Sequence, residues 1–149
     1  MNDQRESTGR IVVGVDGSEP SKAALRWAAR QAELTGAVVE AVTAWEYPSF
    51  YGWGATGFDF GDNAGAVLTQ AIDEALGPDR GGEVRQVVVC GNPAAVLLDA
   101  SRGAELLVVG SRGHGGFTEA LLGSVGQHVV QHADCPVVVI RGPADATHG

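Results

Sequence analysis

Between positions 109 and 125 the chain reads Val-Gly-Ser-Arg-Gly-His-Gly-Gly-Phe-Thr-Glu-Ala-Leu-Leu-Gly-Ser-Val, which sets Gly110, Gly113, Gly123 and Ser124 at G-x2-G-x9-G-S spacing. Residues of these types suit the binding of phosphate. Backbone N–H groups can surround a polyphosphate closely only where no Cβ intervenes, which favours glycine at the points of contact. Ser124 adds a hydroxyl. With Gln127 three residues on it matches a capping box, so a helix is expected to begin there with its first N–H groups open to an anion. Charge-assisted hydrogen bonds of this kind contribute roughly 1.5–3 kcal/mol each, so three or four hold a nucleotide at about micromolar affinity once association is accounted for. The same spacing also suits a glycine-rich loop that merely joins strand to helix. Spacing by itself leaves both readings open.

Other chemically competent residues are more quickly bounded. Arg112 lies between two motif glycines, where its guanidinium reaches either a phosphate or solvent. His128 and His132 stand four apart on an expected helix, a zinc-compatible spacing, but no Glu or Cys completes a ligand set. The metal expected is therefore a magnesium ion riding on the phosphates. Gly52, Gly54 and Gly57 spell G-x-G-x-x-G, the dinucleotide fingerprint. That motif should leave a strand directly and open a helix, whereas Pro48 intervenes before it and residues 58–63 separate it from the next helix. No Gly-Lys-Ser or Gly-Lys-Thr occurs, so the lysine of rapid phosphoryl transfer is missing. Only His114 and Glu119 offer distant general bases. Cys90 and Cys135 end and open apolar runs and are expected as buried small hydrophobes in a reducing compartment.

These residues must be positioned by alternating strands and helices. Residues 11–15 form a β-branched run, after which Ser18 fits an N-cap with Pro20 tolerated in the first turn of a helix to Leu34. Gly36 supplies a left-handed C-cap and residues 38–45 return as a second strand. Ala64, Val67, Leu68, Ala71, Ile72, Ala75 and Leu76 share one face at helical period, ended by Gly77-Pro78. Residues 84–90 read as a third strand. Asn92-Pro93 opens a helix to about Arg102 that Gly103 closes. Residues 106–109 form the fourth strand, 124–132 the last helix and 136–140 the fifth strand. Strands apolar on both faces and flanked by helices indicate a parallel sheet covered on each side. Ligands of such sheets sit beyond the strands' carboxyl ends, where Asp16 and Gly110 both fall. The segment 47–60, with Tyr47, Phe50, Tyr51, Trp53, Phe58 and Phe60 among small residues, reads as a partly apolar loop that covers a ligand or partner.

Composition excludes several classes. At 149 residues a single domain is expected, and 44% hydrophobic residues with 22 glycines suit a compact α/β protein. Ten Lys and Arg against 18 Asp and Glu give a net charge of -8, with no basic stripe for a nucleic acid. A single nucleotide is another matter, since local N–H groups and a divalent cation can meet its charge. No apolar run approaches the roughly 18 residues that span a bilayer, and the polar first ten residues hold no signal-peptide core. A cytoplasmic location is therefore expected.

Val-Gly-Val-Asp-Gly-Ser at 13–18, Gly-Asn-Pro at 91–93, the G-x2-G-x9-G-S motif and His-Ala-Asp-Cys-Pro-Val-Val-Val-Ile at 132–140 carry a resemblance. Through them the chain resembles the universal stress protein family, in particular its ATP-binding branch. The resemblance covers residues 9–141 as one domain and leaves 1–8 and 142–149 as polar tails. It implies an open five-stranded parallel sheet of order 3-2-1-4-5 with helices on both faces, a Rossmann-like adenine-nucleotide fold, and a homodimer paired through Val137 to Ile140. Carried over by position, it places Asp16 against the ribose or adenine, Gly14 and the backbone of Ala44 beside the adenine, and Val109 and Gly110 under the sugar. Gly113, Gly123, Ser124 and Val125 then face the phosphates, with Mg2+ between them. Asp16 also has a purely local role open to it, an Asx-type turn with Gly17. The implied function is that of an ATP-binding sensor or regulator in the stress response with at most slow hydrolysis. The alternatives are a nucleotide-independent dimeric interaction module, an ATP-dependent enzyme on the same sheet, or a cAMP-binding protein whose single phosphate leaves part of the cradle empty.

Overall fold

The computed structural model describes residues 9–46, 60–77, 83–111 and 124–141. Strand β1 (Arg10–Gly14) buries Ile11, Val12 and Val13 completely or nearly so, as a continuous β-branched run must when a sheet is covered on both faces. It leads into helix α1 (Glu19–Thr35). Ser18 is the N-cap, its Oγ accepting from the Ser21 N–H at 3.3 Å, Pro20 sits in the first turn, and Gly36 ends the helix at φ 83°. Gly36 donates its N–H to the Ala32 carbonyl at 2.7 Å, closing the last turn by the left-handed route that glycine permits. Loss of an N-cap hydroxyl typically costs about 1 kcal/mol. A Ser18→Ala variant is accordingly expected to unfold at lower urea concentration with an unchanged slope, a loss of about 1 kcal/mol by equilibrium denaturation.

Strand β2 (Val38–Trp45), helix α2 (Phe60–Leu76), strand β3 (Arg85–Cys90), helix α3 (Pro93–Ala100), strand β4 (Leu106–Gly110), helix α4 (Ser124–His132) and strand β5 (Val137–Ile140) follow. The five strands form one sheet in the order β3-β2-β1-β4-β5, every pair parallel. This is the implied order 3-2-1-4-5. Ile11 pairs with Val39 on one side and Leu106 on the other, so β1 is central and the strand order reverses between β1 and β4.

Alternation along the strands divides the core. Ile11, Val13, Val39, Ala41 and Val108 pack with Ala24, Leu25 and Ala28 of α1 and Leu68, Ala71 and Ile72 of α2. Val12, Val42, Leu107 and Val109 pack on the other face with Ala94, Val96 and Leu97 of α3 and Val129 of α4. Lys22 bridges α1 to α2, its Nζ 2.5 Å from Glu74 and 2.9 Å from Glu19. The hydrogen bond to Glu74, then that to Glu19, raises the ammonium's pKa, and the ammonium in turn lowers the Glu74 carboxyl. Arg10 clasps the opposite, amino end of the sheet. It donates to Glu40 Oε1 at 3.0 Å, to the Ala100 carbonyl at 2.9 Å and to the Arg102 carbonyl at 2.7 Å.

Several boundaries differ from the sequence expectation. Helix α2 begins at Phe60, four residues before its first expected apolar position, so Phe60 belongs to the helix rather than to the aromatic loop. The gap between the G-x-G-x-x-G run and this helix is therefore shorter than residues 58–63. Strand β2 ends at Trp45, and the G-x-G-x-x-G run itself lies outside the described residues. Helix α3 stops at Ala100 instead of about Arg102. The Ser101 Oγ donates to the Leu98 carbonyl and the Arg102 N–H to the Asp99 carbonyl, and this tightened turn delivers Gly103 at φ 78°.

The cysteines depart from expectation too. Cys90 is exposed because β3 is the edge strand, with five of its six residues exposed. Cys135 is half-buried, and burial pushes its thiol up in pKa. The aromatic segment 47–59, the tails 1–8 and 142–149, and His114 and Glu119 lie outside the described residues.

Candidate functional site

The carboxyl ends of β1 and β4 meet at the reversal of strand order, the position where open α/β sheets leave a crevice. Beyond β1 the ladder continues by one bond, from the Val15 N–H to the Val42 carbonyl at 2.9 Å, and beyond β4 by another, from the Ser111 N–H to the Ile140 carbonyl at 2.9 Å. The chain then turns sharply. Asp16 Oδ1 accepts from the Ser18 N–H at 2.9 Å while Gly17 takes φ 85°. The Asx turn weighed for Asp16 is thus present. Asp16 is nonetheless an exposed residue at this edge.

Ser21 is a contributor that the sequence reading missed. It is 3% exposed, its Oγ accepts from the Asp16 N–H at 3.3 Å, and the same hydroxyl donates to the Ser18 carbonyl at 2.9 Å. One hydroxyl therefore holds both ends of the turn that presents Asp16. The signal was available as two serines three apart around Pro20 in a helix's first turn.

Two glycines expected at the nucleotide are glycines for packing reasons. A Cβ on Gly110 would fall 2.8 Å from the backbone carbon of Pro20 and 3.0 Å from its oxygen. The first turn of α1 thus rests directly on the end of β4. A Cβ on Gly14 would meet Leu97 Cδ1 of α3 at 2.9 Å. Both residues lie at the crevice, yet the space their missing side chains leave is filled by protein, so only their backbone groups remain for a ligand. Val109 is 5% exposed within the second core, which likewise confines it to a backbone role. Ala44, on β2 opposite Val89, is half-buried.

Helix α4 follows β4, and as the connection to a parallel neighbour it directs its N-terminus toward the carboxyl edge. Ser124 is the first described residue of this helix. Val125 is half-buried against the second core. Arg112, Gly113 and Gly123 lie outside the described residues. Of the expected set, then, Gly14, Asp16, Val109 and Gly110 come together at the β1–β4 junction, with Ala44 one strand away and Ser124 and Val125 opening α4. Among the described residues no group of three or more His, Cys, Asp and Glu could hold a metal ion. His128 and His132 bring their rings to 4.5 Å between centroids, tilted by 39°. No helix among the described residues is long and apolar enough to cross a membrane.

The sequence model of the universal stress protein family matches residues 8–141. The chain belongs to the universal stress protein family. A universal stress protein of Mycobacterium tuberculosis is 37% identical over 151 residues, an alignment covering 95% of this chain and 50% of the relative. The chain thus spans about half the length of the curated relatives it matches. Among solved structures, a universal stress protein in complex with cAMP superposes with a TM-score of 0.63 at 28% identity, covering 89% of this chain and 95% of the other. A universal stress protein from Archaeoglobus fulgidus gives 0.68 at 27% identity, covering 89% and 93%.

Proposed function

We propose that this universal stress protein binds ATP at the carboxyl ends of β1 and β4, as a nucleotide-dependent sensor or regulator with at most slow hydrolysis. The observation that carries the reading is an exposed residue, Asp16, at the strand-order reversal beside the end of β4, where Gly110 opens the G-x2-G-x9-G-S sequence. A carboxylate at a strand end suits ribose hydroxyls. Backbone N–H groups along a glycine segment and a helix N-terminus suit phosphates.

In this reading Gly14 and Ala44 border the adenine through their backbones, and Val109 and Gly110 lie under the sugar. Arg112, Gly113, Gly123, Ser124 and Val125 meet the phosphates, whose remaining charge Mg2+ offsets. The domain is residues 9–141 of a cytoplasmic protein, and a homodimer forms by edge pairing of Val137–Ile140, the outer strand of the sheet. The absence of a Walker lysine from the sequence supports retention of ATP over its turnover.

A second reading, cAMP as the ligand, is favoured by the complex of the 28% identical relative with that nucleotide. Mass spectrometry of small molecules released from the freshly purified, denatured protein, followed by titration of ATP and cAMP in Mg2+, separates the two. ATP is expected to bind at about micromolar concentration and to raise the melting temperature. Tighter binding of cAMP transfers the site to the second reading. Failure of either to bind at millimolar concentration overturns both and leaves the nucleotide-independent interaction module.

A further inference from the structure

The cavity of about 230 Å3 at the amino end of the sheet, lined by Ala29, Ala32, Leu76, Val84, Glu33 and Glu83, is shallow and has no buried polar group aimed into it. The exposed valines of β3, Val88 and Val89, lie on an outer strand of the sheet with no feature among the described residues that selects an occupant. The histidine pair of α4 carries more. His128 and His132 are both exposed, lie one helical turn apart, and already hold their rings 4.5 Å apart at a tilt of 39°. Val129 is fully buried between them and seats α4 on the sheet, so the helix fixes the backbone positions of both imidazoles.

We infer that His128 and His132 form a bidentate site for a borderline transition-metal dication such as Zn2+ or Ni2+. Imidazole is a preferred ligand of these ions, and the spacing i, i+4 places two ring nitrogens on one helix face. Two imidazoles each bound at about 2.0–2.1 Å bring their ring centres to roughly 4.5–5 Å, the separation these rings already have. Binding therefore needs rotation of the rings but no approach of the backbone. Water fills the other coordination positions, consistent with the lack of a third His, Cys, Asp or Glu close by among the described residues. The chain's net charge of -8 raises the local concentration of cations. The pair occupies the second half of α4, beyond the helix start at Ser124, so this site is separate from magnesium bound on phosphates.

The test uses the full chain, stripped of metal by chelation and free of nucleotide, titrated calorimetrically with Zn2+ and separately with Ni2+. One ion per chain is expected, with perturbation of the His128 and His132 imidazole resonances on addition of Zn2+. Joining two ligands on one rigid helix raises affinity over a single imidazole by roughly a hundredfold, so His128→Ala and His132→Ala should each lose about that factor. A variant combining His132→Ala with Val130→His, at an exposed position, keeps the histidine count but sets the pair two residues apart on different helix faces; it should fall to the affinity of the single-histidine variants. Circular dichroism confirms that each variant retains its helices. Wild-type affinity in the spacing variant, or in either alanine variant, would overturn the site and assign binding to His114, His148 or the cysteines. Unperturbed imidazole resonances at saturating metal would do so as well.

Discussion

A Gly110→Val variant is expected to lose about 3 kcal/mol of stability, the upper end of the usual overpacking cost. The first added carbon alone falls 2.8 Å from the backbone of Pro20, and the two further methyls of valine extend from it. Backbone in the first turn of a helix cannot swing aside as a side-chain tip can. Relief requires lifting the start of α1 from β4, and α1 carries Ala24, Leu25 and Ala28 at 0% exposure, so the displacement propagates into the first core. Gly14→Ala provides the contrast, since its added carbon meets the flexible end of Leu97 and the neighbour can shift by rotation. Urea denaturation of both variants checks the argument. A loss in Gly110→Val no greater than in Gly14→Ala would show that the start of α1 yields freely.

Asp16→Ala is expected to weaken ATP binding by roughly ten- to hundredfold, corresponding to the 1.5–3 kcal/mol of hydrogen bonds to a charged group. Because the same side chain accepts from the Ser18 N–H, alanine removes a turn contact as well, and reduced affinity could reflect a disordered loop. Asp16→Asn separates the two effects. Its amide oxygen can replace Oδ1 in the Asx turn, so the melting temperature should stay near wild type, while the charge that strengthens bonds to ribose hydroxyls is gone. Affinity intermediate between wild type and Asp16→Ala, at wild-type stability, is the expected pattern. Wild-type affinity in both variants would confine Asp16 to its turn.

What the sequence revealed follows from how local each signal is. Helix α1 was readable at both ends because Ser18, Pro20 and Gly36 each act within one turn of the chain. The central strands were readable because a sheet covered twice demands unbroken apolar runs, as in Ile11 to Val13 and Leu107 to Val109. The order of strands was implied by the family resemblance; periodicity does not encode which strand lies beside which. Exposure failed at Cys90, since an edge strand carries the same β-branched sequence as a central one and differs only in having a neighbour on one side. The site was legible in type and partly misread in cause. Gly110 looked like room for a ligand, yet the room is taken by Pro20, a contact between residues 90 positions apart that no spacing rule detects. Ser21 escaped notice because its two bonds run back to the turn before the helix.

The central place of β1 also has a bearing on how the protein is made. Of the five strands of this sheet β1 emerges from the ribosome before the others, and its partner on one flank, β2, follows after helix α1. The partner on its other flank, β4, pairs Leu106 with Ile11, and the Arg10 clasp awaits the carbonyls of Ala100 and Arg102. Until β4 has been made, this domain therefore holds an open, apolar strand edge that only its own later half can close. Such late long-range closure slows folding and invites pairing with the wrong strand. The yield of native protein should thus be decided after β4 has left the exit tunnel.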